Sequence, residues 1–253
     1  VGKYNRLDQI MDYLKIHNLV TVEELVIATE ASPATIRRDL IKLDQQGVIS
    51  RTHGGVTLNR FIPSQPTTSE KIHKNFNEKQ LIADVAAELI KAGDSIALDA
   101  GTTTLEIAKR ITQMPVRVIT SDLHIALFLS EFKQIEVTII GGKIDDSSQS
   151  CIGEHGRSLL LQINPDIAFV SCNSWSLSKG VTAPTEDKAL IKAGFAQKAD
   201  KVVLVADSSK YNSYSLFTSI PLNRFTDIIT DNHLDTETVQ NLQSQPFKLH
   251  IAS

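Results

Sequence analysis

Residues 32–43, Ser-Pro-Ala-Thr-Ile-Arg-Arg-Asp-Leu-Ile-Lys-Leu, constrain this chain more than any other stretch. Ser32 is a strong N-cap type, and Pro33 suits the first helical position. Ile36, Leu40 and Leu43 recur at helical spacing and define a buried stripe. At about 100° per residue, Ala34 and Arg38 point away from that stripe. Ile41 and Lys42 lie beside them, and Thr35 and Arg37 flank them. The outward face is therefore short at its start and basic along its length. That shape fits a helix entering a DNA major groove end-first, with arginines reaching guanine or phosphate. A solvated helix carrying two arginines has the same pattern, so the flanking segments decide between the two.

Those segments supply a helix-turn-helix frame. Leu7, Ile10, Met11 and Leu14 mark an amphipathic helix ending near His17-Asn18. Thr21 and Glu24 form a capping box that opens a second helix burying Val22, Leu25 and Val26. Ala31-Ser32 is a tight turn into the basic helix, and Gly47 stops that helix. Residues 48–58 then hold two short β-like runs around Arg51, His53 and Gly54-Gly55. They read as a hairpin wing in which Arg51 and His53 touch phosphate or the minor groove. A three-helix interaction module with a hairpin is the alternative.

Composition limits the remaining classes. The chain has 253 residues and a formal net charge of −3, so any DNA contact must come from the placement of charge rather than its total. There is no apolar run long enough for a membrane helix, no signal peptide is evident, and a cytoplasmic protein is expected. Cys151 and Cys172 form no metal-ligand spacing and read as reduced structural thiols. No metal or cofactor is expected.

Residues 59–76 lack a period, hold two prolines and read as an extended connector. From residue 77 onward β-like and helical runs alternate, with strands expected at 95–99, 116–120, 136–140, 167–170, 201–206, 227–230 and 248–251. This rhythm means an α/β domain with a largely parallel sheet. The expected division is a DNA-binding domain over 1–58, a connector over 59–76, and a sensing and oligomerisation domain over 77–253.

Ligands of such sheets sit at the C-terminal strand ends. The residues there are polar or Gly-rich: Asp99-Ala100-Gly101-Thr102-Thr103, Thr120-Ser121-Asp122, Gly141-Gly142, Ser171-Cys172-Asn173-Ser174 and Asp207-Ser208-Ser209-Lys210. A glycine, following hydroxyls and a helix N-terminus favour a phosphate or carboxylate at 99–104, with Lys210 as a source of positive charge.

The motifs together resemble the DeoR family of bacterial transcriptional regulators. Val-Thr-Val-Glu-Glu-Leu at 20–25, Ser-Pro-Ala-Thr-Ile-Arg-Arg-Asp-Leu at 32–40 and Arg-Thr-His-Gly-Gly-Val at 51–56 match its N-terminal signature. The strand-end motifs match its sensor domain in order. The resemblance implies a winged helix-turn-helix with Ser32, Thr35, Arg37 and Arg38 on DNA, Arg51 and His53 in the wing, and Ala34 and Lys42 on the same face. Asp39 is expected to orient Arg38 or a neighbouring side chain, because a carboxylate beside phosphate is repelled. The resemblance also implies a sensor fold like those of ribose-5-phosphate isomerase and the coenzyme A transferases. Its effector, a phosphorylated sugar or related metabolite, would meet Gly101, Thr102 and Thr103, with Asp99, Ser121, Asp122, Gly142 and Lys210 around the rest. It implies repression of carbohydrate-catabolism genes through double-stranded operator DNA, by a homodimer or tetramer.

Two departures from the family pattern stand out. Asp122 stands where many members carry an uncharged residue, and would disfavour a second phosphate or favour a hydroxyl or amine on the effector. Lys192 matches a lysine of the family, but Lys188 occupies the position of an acid. An enzyme of the sugar-phosphate isomerase type is the alternative. It requires a carboxylate base, and Ser171-Cys172-Asn173-Ser174 supplies none where the isomerases carry an acidic cluster.

Overall fold

The computed structural model describes residues 6–17, 20–45, 48–52, 55–58 and 60–253. It divides into two compact units, Val1–Arg60 and Phe61–Ser253.

The first unit holds α1 (Arg6–Ile16), α2 (Val22–Thr29), α3 (Pro33–Gln45) and the strands β1 (Ile49–Thr52) and β2 (Gly55–Leu58). The Thr21–Glu24 capping box forms, with each side chain bonded to the other residue's backbone N–H. Glu30 takes a left-handed conformation (φ 53°) and turns the chain toward α3. Ile10, Leu14, Leu25, Ile36, Leu40, Leu43, Ile49 and Val56 form one core, so all three helices and both strands share it. Burial of each such side chain contributes about 1.5–3 kcal/mol. β1 and β2 pair antiparallel, with Arg51 opposite Val56. Val20 and Val56 exchange two backbone hydrogen bonds of 2.9 and 2.8 Å, which seat the wing on the helices. A Cβ at Gly55 would lie 2.5 Å from the Val20 carbonyl oxygen, and its φ of +149° is itself unfavourable to other residues. That close approach is why a glycine stands there. Gly47 lies outside the described residues.

The second unit runs α4 (Thr68–Ile72), α5 (Phe76–Ala87), β3 (Ser95–Leu98), α6 (Thr102–Arg110), β4 (Val116–Thr120), α7 (Leu123–Leu129), β5 (Ile135–Ile139), β6 (Lys143–Asp145) and β7 (Ser150–Ile152). It continues through α8 (Glu154–Leu160), β8 (Ile167–Ser171), β9 (Trp175–Ser176), β10 (Gly180–Ala183), α9 (Glu186–Gln197), β11 (Lys201–Val205), β12 (Phe217–Ile220), β13 (Asp227–Asp231), α10 (Thr236–Gln243) and β14 (Lys248–Ala252).

Seven strands form a sheet in the order β14-β13-β11-β8-β3-β4-β5, every pairing parallel. Successive residues of a strand serve opposite faces. Val203 and Val205 pack with α5, α6 and α7, whereas Val202 and Leu204 pack with α8, α9 and α10. Strand order reverses between β3 and β8, so the switch point lies where these two strands end. The architecture is thus a winged helix-turn-helix followed by an α/β unit.

Some local structure departs from the sequence reading. The β6–β7 hairpin and the antiparallel β12-β10-β9 sheet lie in stretches without a strand pattern, because each strand is only two to four residues long. α5 buries Lys79, Ile82, Ala83 and Ala86, and Leu81 is 36% exposed. The stretch 61–76 is no free connector. The Ile62 N–H donates to the Tyr214 carbonyl at 2.7 Å, the Thr68 N–H to the Ser147 carbonyl at 2.9 Å, and Asn173 to Gln65 at 2.9 Å. These bonds make it part of the second unit.

Candidate functional site

On α3 the side chains of Ala34, Arg37, Arg38 and Lys42 are exposed, and Thr35 is half-buried. Ser32 Oγ accepts the Thr35 N–H at 3.3 Å and lies 2.9 Å from Thr35 Oγ1, so these two hydroxyls shape the helix start together. Of the two partners expected for Asp39, Arg38 or a neighbouring side chain, the structure gives the second, Arg6. The Asp39 carboxylate lies 2.5 Å from Arg6 Nε on α1 and fixes α3 against that helix. This leaves the basic face of α3 free of an acidic partner at Asp39. Arg51 is exposed on β1. His53 lies outside the described residues.

In the second unit a cavity of about 200 Å³ opens at the ends of β3, β8 and β11. Asp99, Ser171 and Asp207 mark these strand ends, and Gly101, Thr102 and Thr103 bring the start of α6 to its wall. The loop after β3 is tightly held. Lys192 Nζ lies 2.5 Å from Asp99 Oδ2 and donates to the Ser171 carbonyl at 2.7 Å. The Ser171 N–H donates to Asp99 at 3.2 Å, and Ser171 Oγ to the Ala100 carbonyl at 2.8 Å. A Cβ on Gly101 would fall 2.3 Å from Ser171 Oγ, so a side chain there would have to displace Ser171. At the end of β11, Asp207 accepts hydrogen bonds from Asn75 and Ser209, and Lys210 Nζ stands 3.9 Å away.

The lining is rich in ammonium groups: Lys71, Lys74, Lys79, Lys188, Lys192 and Lys210. Lys79 donates to the Lys71 carbonyl at 2.5 Å. Lys188 reaches Asp145 Oδ2 and Ser147 Oγ, both at 2.8 Å. Burial and the repulsion of Lys192, Lys188 and Lys210 bring the Lys71 amine down to about 8. Burial also raises the Asp145 pKa, but hydrogen bonds from Lys188, Ser148 and Ser147 outweigh it and hold this carboxyl well below the usual range. Ser121 Oγ is buried in the lining and has no hydrogen-bond partner among the described residues.

Of the residues expected around an effector, Asp99, Gly101, Thr102, Thr103, Ser121 and Lys210 line this cavity; Asp122 and Gly142 do not. Asp122 is buried and fully engaged. Its carboxylate accepts the His124 N–H at 2.8 Å and the Ile125 N–H at 3.2 Å, capping α7, and the Gly101 N–H at 3.1 Å. Burial raises its pKa, against those hydrogen bonds. It is a cap and a tether for the β3 loop, not a charge facing a ligand. The same bond occupies the Gly101 N–H, which a phosphate therefore does not find open. Gly142 has a φ of +145°, and a Cβ there would lie 2.3 Å from the Ile152 carbonyl oxygen, so its role is the packing of β7.

Lys210 was expected from the sequence; the other five lysines were the part hidden from it. Lys188 and Lys192 are one helical turn apart, a spacing that places both on one face of α9. Lys71, Lys74 and Lys79 come from α4 and its surroundings, and no strand-end rule points to them. Cys172 also lines the cavity, but burial pushes its thiol up to about 12, which leaves it protonated and a poor nucleophile. No helix among the described residues is long and apolar enough to cross a membrane.

Comparison with known proteins agrees with this arrangement. The DeoR-like helix-turn-helix domain matches residues 6–60, and the DeoR C terminal sensor domain matches residues 74–232. An uncharacterized HTH-type transcriptional regulator of Haemophilus influenzae is 39% identical over 97% of this chain and 94% of its own length. The HTH-type regulator YgbI of Escherichia coli K12 is 34% identical over 96% and 95%. The HTH-type transcriptional repressor GlcR of Bacillus subtilis is 34% identical over 89% and 87%. Among solved structures, ribose 5-phosphate isomerase A of Methanocaldococcus jannaschii has a TM-score of 0.41 at 17% identity, over 55% of each chain. The relatives named by function are regulators and repressors, not enzymes. This chain belongs to the DeoR family of HTH-type transcriptional regulators.

Proposed function

We propose that this regulator represses carbohydrate-catabolism genes and that a phosphorylated sugar or related metabolite modulates its hold on operator DNA. The observation that carries this reading is the lysine-lined cavity at the switch point of the sheet, with the start of α6 in its wall. A helix N-terminus and clustered ammonium groups favour an anion, and a cavity of about 200 Å³ suits a small metabolite. Relatives named as repressors, GlcR and a putative aga operon repressor, support the direction of control.

On the DNA side, Ala34, Arg37, Arg38 and Lys42 present a basic face for base edges and phosphates, and Ser32, Thr35, Arg51 and His53 are the further contacts that the sequence suggests. One such head reads few base pairs, so a homodimer or tetramer assembled through the second unit would read spaced half-sites. Residues Gln65, Pro66, Glu70, Lys71 and Lys74 follow the DNA-binding unit and line the cavity. A ligand that moves them would change the setting of the heads and lower operator affinity.

The test is a thermal-shift panel on the whole chain with phosphorylated sugars, free sugars and sugar acids. An effector at about one hundred times its dissociation constant adds about 2.7 kcal/mol, a shift on the order of 5–10 °C for a unit of this size. A flat response to every phosphorylated compound would remove this ligand class.

A further inference from the structure

The cavity carries more positive charge than one phosphate neutralises. Six lysines line it, against the lining carboxylates of Glu70, Asp99 and Asp207 and the Asp145 carboxylate that pairs with Lys188, an excess of two among these described residues before the start of α6 is counted. Each carboxylate has donors within the protein. Asp99 holds Lys192 and the Ser171 N–H, Asp207 holds Asn75 and Ser209, and Glu70 closes a capping box with Thr67. A phosphate monoester carries about −1.5 to −2. The start of α6 adds a further partial positive charge.

The two lysines of α9 serve different ends of this surplus. Lys192 is bound beside the β3 loop, to Asp99 and the Ser171 carbonyl. Lys188 points instead to the β6–β7 turn, at Asp145 and Ser147. Asp145 does not depend on Lys188 alone. It also accepts Ser147 Oγ at 2.7 Å, the Ser148 N–H at 2.9 Å and Ser148 Oγ at 2.6 Å. The Lys188 ammonium can therefore turn to a ligand without leaving a bare buried carboxylate behind. Lys71, also in the lining, has the ammonium groups of Lys192, Lys188 and Lys210 and the carboxylate of Asp122 among its main electrostatic influences.

We propose that the ligand carries two anionic groups: a phosphate at the start of α6, and a second anion, carboxylate or phosphate, held by Lys188 and Lys71. This rests on reading the cavity as the anion-sensing site. It narrows the ligand class from phosphorylated sugars in general to phosphorylated sugar acids or sugar bisphosphates. Asp122 does not line the cavity, and its carboxylate already accepts three backbone N–H groups, one of them from the lining residue Gly101.

The experiment is calorimetric titration of the full chain with matched probes of four to six carbons. These are aldose phosphates, the corresponding phosphorylated aldonates, the sugar bisphosphates, and inorganic phosphate. A doubly anionic probe is expected to bind about tenfold or more tighter than the aldose phosphate of equal length, the worth of one charge-assisted hydrogen bond. Lys188→Gln should bring that ratio close to unity. Lys71→Gln should do the same without touching Asp145, and it stands in if Lys188→Gln folds poorly. The better of aldonate and bisphosphate identifies the second anion. An aldose phosphate that binds as well as either, or a ratio unchanged in both variants, overturns the proposal and leaves the sugar-phosphate reading standing. Failure of every phosphorylated probe would overturn both.

Discussion

Asp122 and Gly101 are joined by a 3.1 Å hydrogen bond, the Gly101 N–H donating to Asp122 Oδ2. The same carboxylate caps α7 through the N–H groups of His124 and Ile125. One buried side chain thus ties the loop that starts α6 to the helix that follows β4. Asp122→Ala removes both connections. Loss of an N-cap costs about 1–2 kcal/mol, so the melting temperature should fall on the order of 2–8 °C. Asp122→Asn, which keeps one acceptor oxygen, should lose less. Equal melting of Asp122→Ala and the parent chain would contradict the capping role.

Gly101 and Ser171 meet in the same loop. A methyl group at Gly101 would lie 2.3 Å from Ser171 Oγ and 3.0 Å from its Cβ. Gly101→Ala is expected to destabilise the second unit by about 1–3 kcal/mol through overpacking. Adding Ser171→Gly removes the obstructing atoms and should recover part of the loss. A double variant no more stable than Gly101→Ala would show that the conflict lies elsewhere.

The outward face of α3 is testable by separating base from phosphate contacts. Arg38→Ala should weaken operator binding by about 1–3 kcal/mol per half-site if its guanidinium reads guanine. Arg51→Ala should weaken binding to all sequences alike and reduce the salt slope by about 1. Anisotropy titrations at several salt concentrations distinguish the two. Asp39→Asn acts differently: it loosens the tie to Arg6, so it should disturb the seating of α3 rather than a DNA contact.

Lys71 is expected to make the affinity for an anion in this cavity dependent on pH. Burial and three neighbouring ammonium groups bring its amine down to about 8. An anion favours the protonated form, so binding should take up protons near pH 8 and weaken as pH rises through that value. The ligand-free chain behaves in the opposite sense. Between about 8 and the ordinary lysine value near 10.4, the unfolded state binds more protons at this residue, so the penalty that the buried Lys71 ammonium places on folding is relieved as pH rises. Lys71→Met should remove this component of both profiles. Titrations in buffers of different ionisation enthalpy would detect the proton uptake, and its absence would contradict the assignment.

The sequence carried the fold well wherever a pattern was long or chemically specific. The stripe of Ile36, Leu40 and Leu43, the Thr21–Glu24 box and the alternation of strands with helices each appear in the structure. Strand-end residues also led to the cavity, because a parallel sheet gathers those ends at one edge. What remained hidden was set by tertiary placement. Asp122 looked like a charge near a ligand, but three backbone N–H groups claim it. Gly142 looked like a ligand-facing glycine, yet the Ile152 carbonyl explains it. Asp39 pairs with Arg6, 33 residues away, a partner no local spacing indicates. The lysines of α4, α5 and α9 converge only once the stretch 61–76 is folded onto the sheet.

The most direct test joins cavity to DNA. An operator fragment is selected from a random-sequence pool, and the full chain is titrated on it with and without the anion chosen by thermal shift. The expected result is that the anion changes operator affinity, and that Thr103→Glu still binds the fragment but no longer responds, because its carboxylate repels the ligand from the start of α6. A Thr103→Glu chain that responds like the parent would place the effector site outside this cavity.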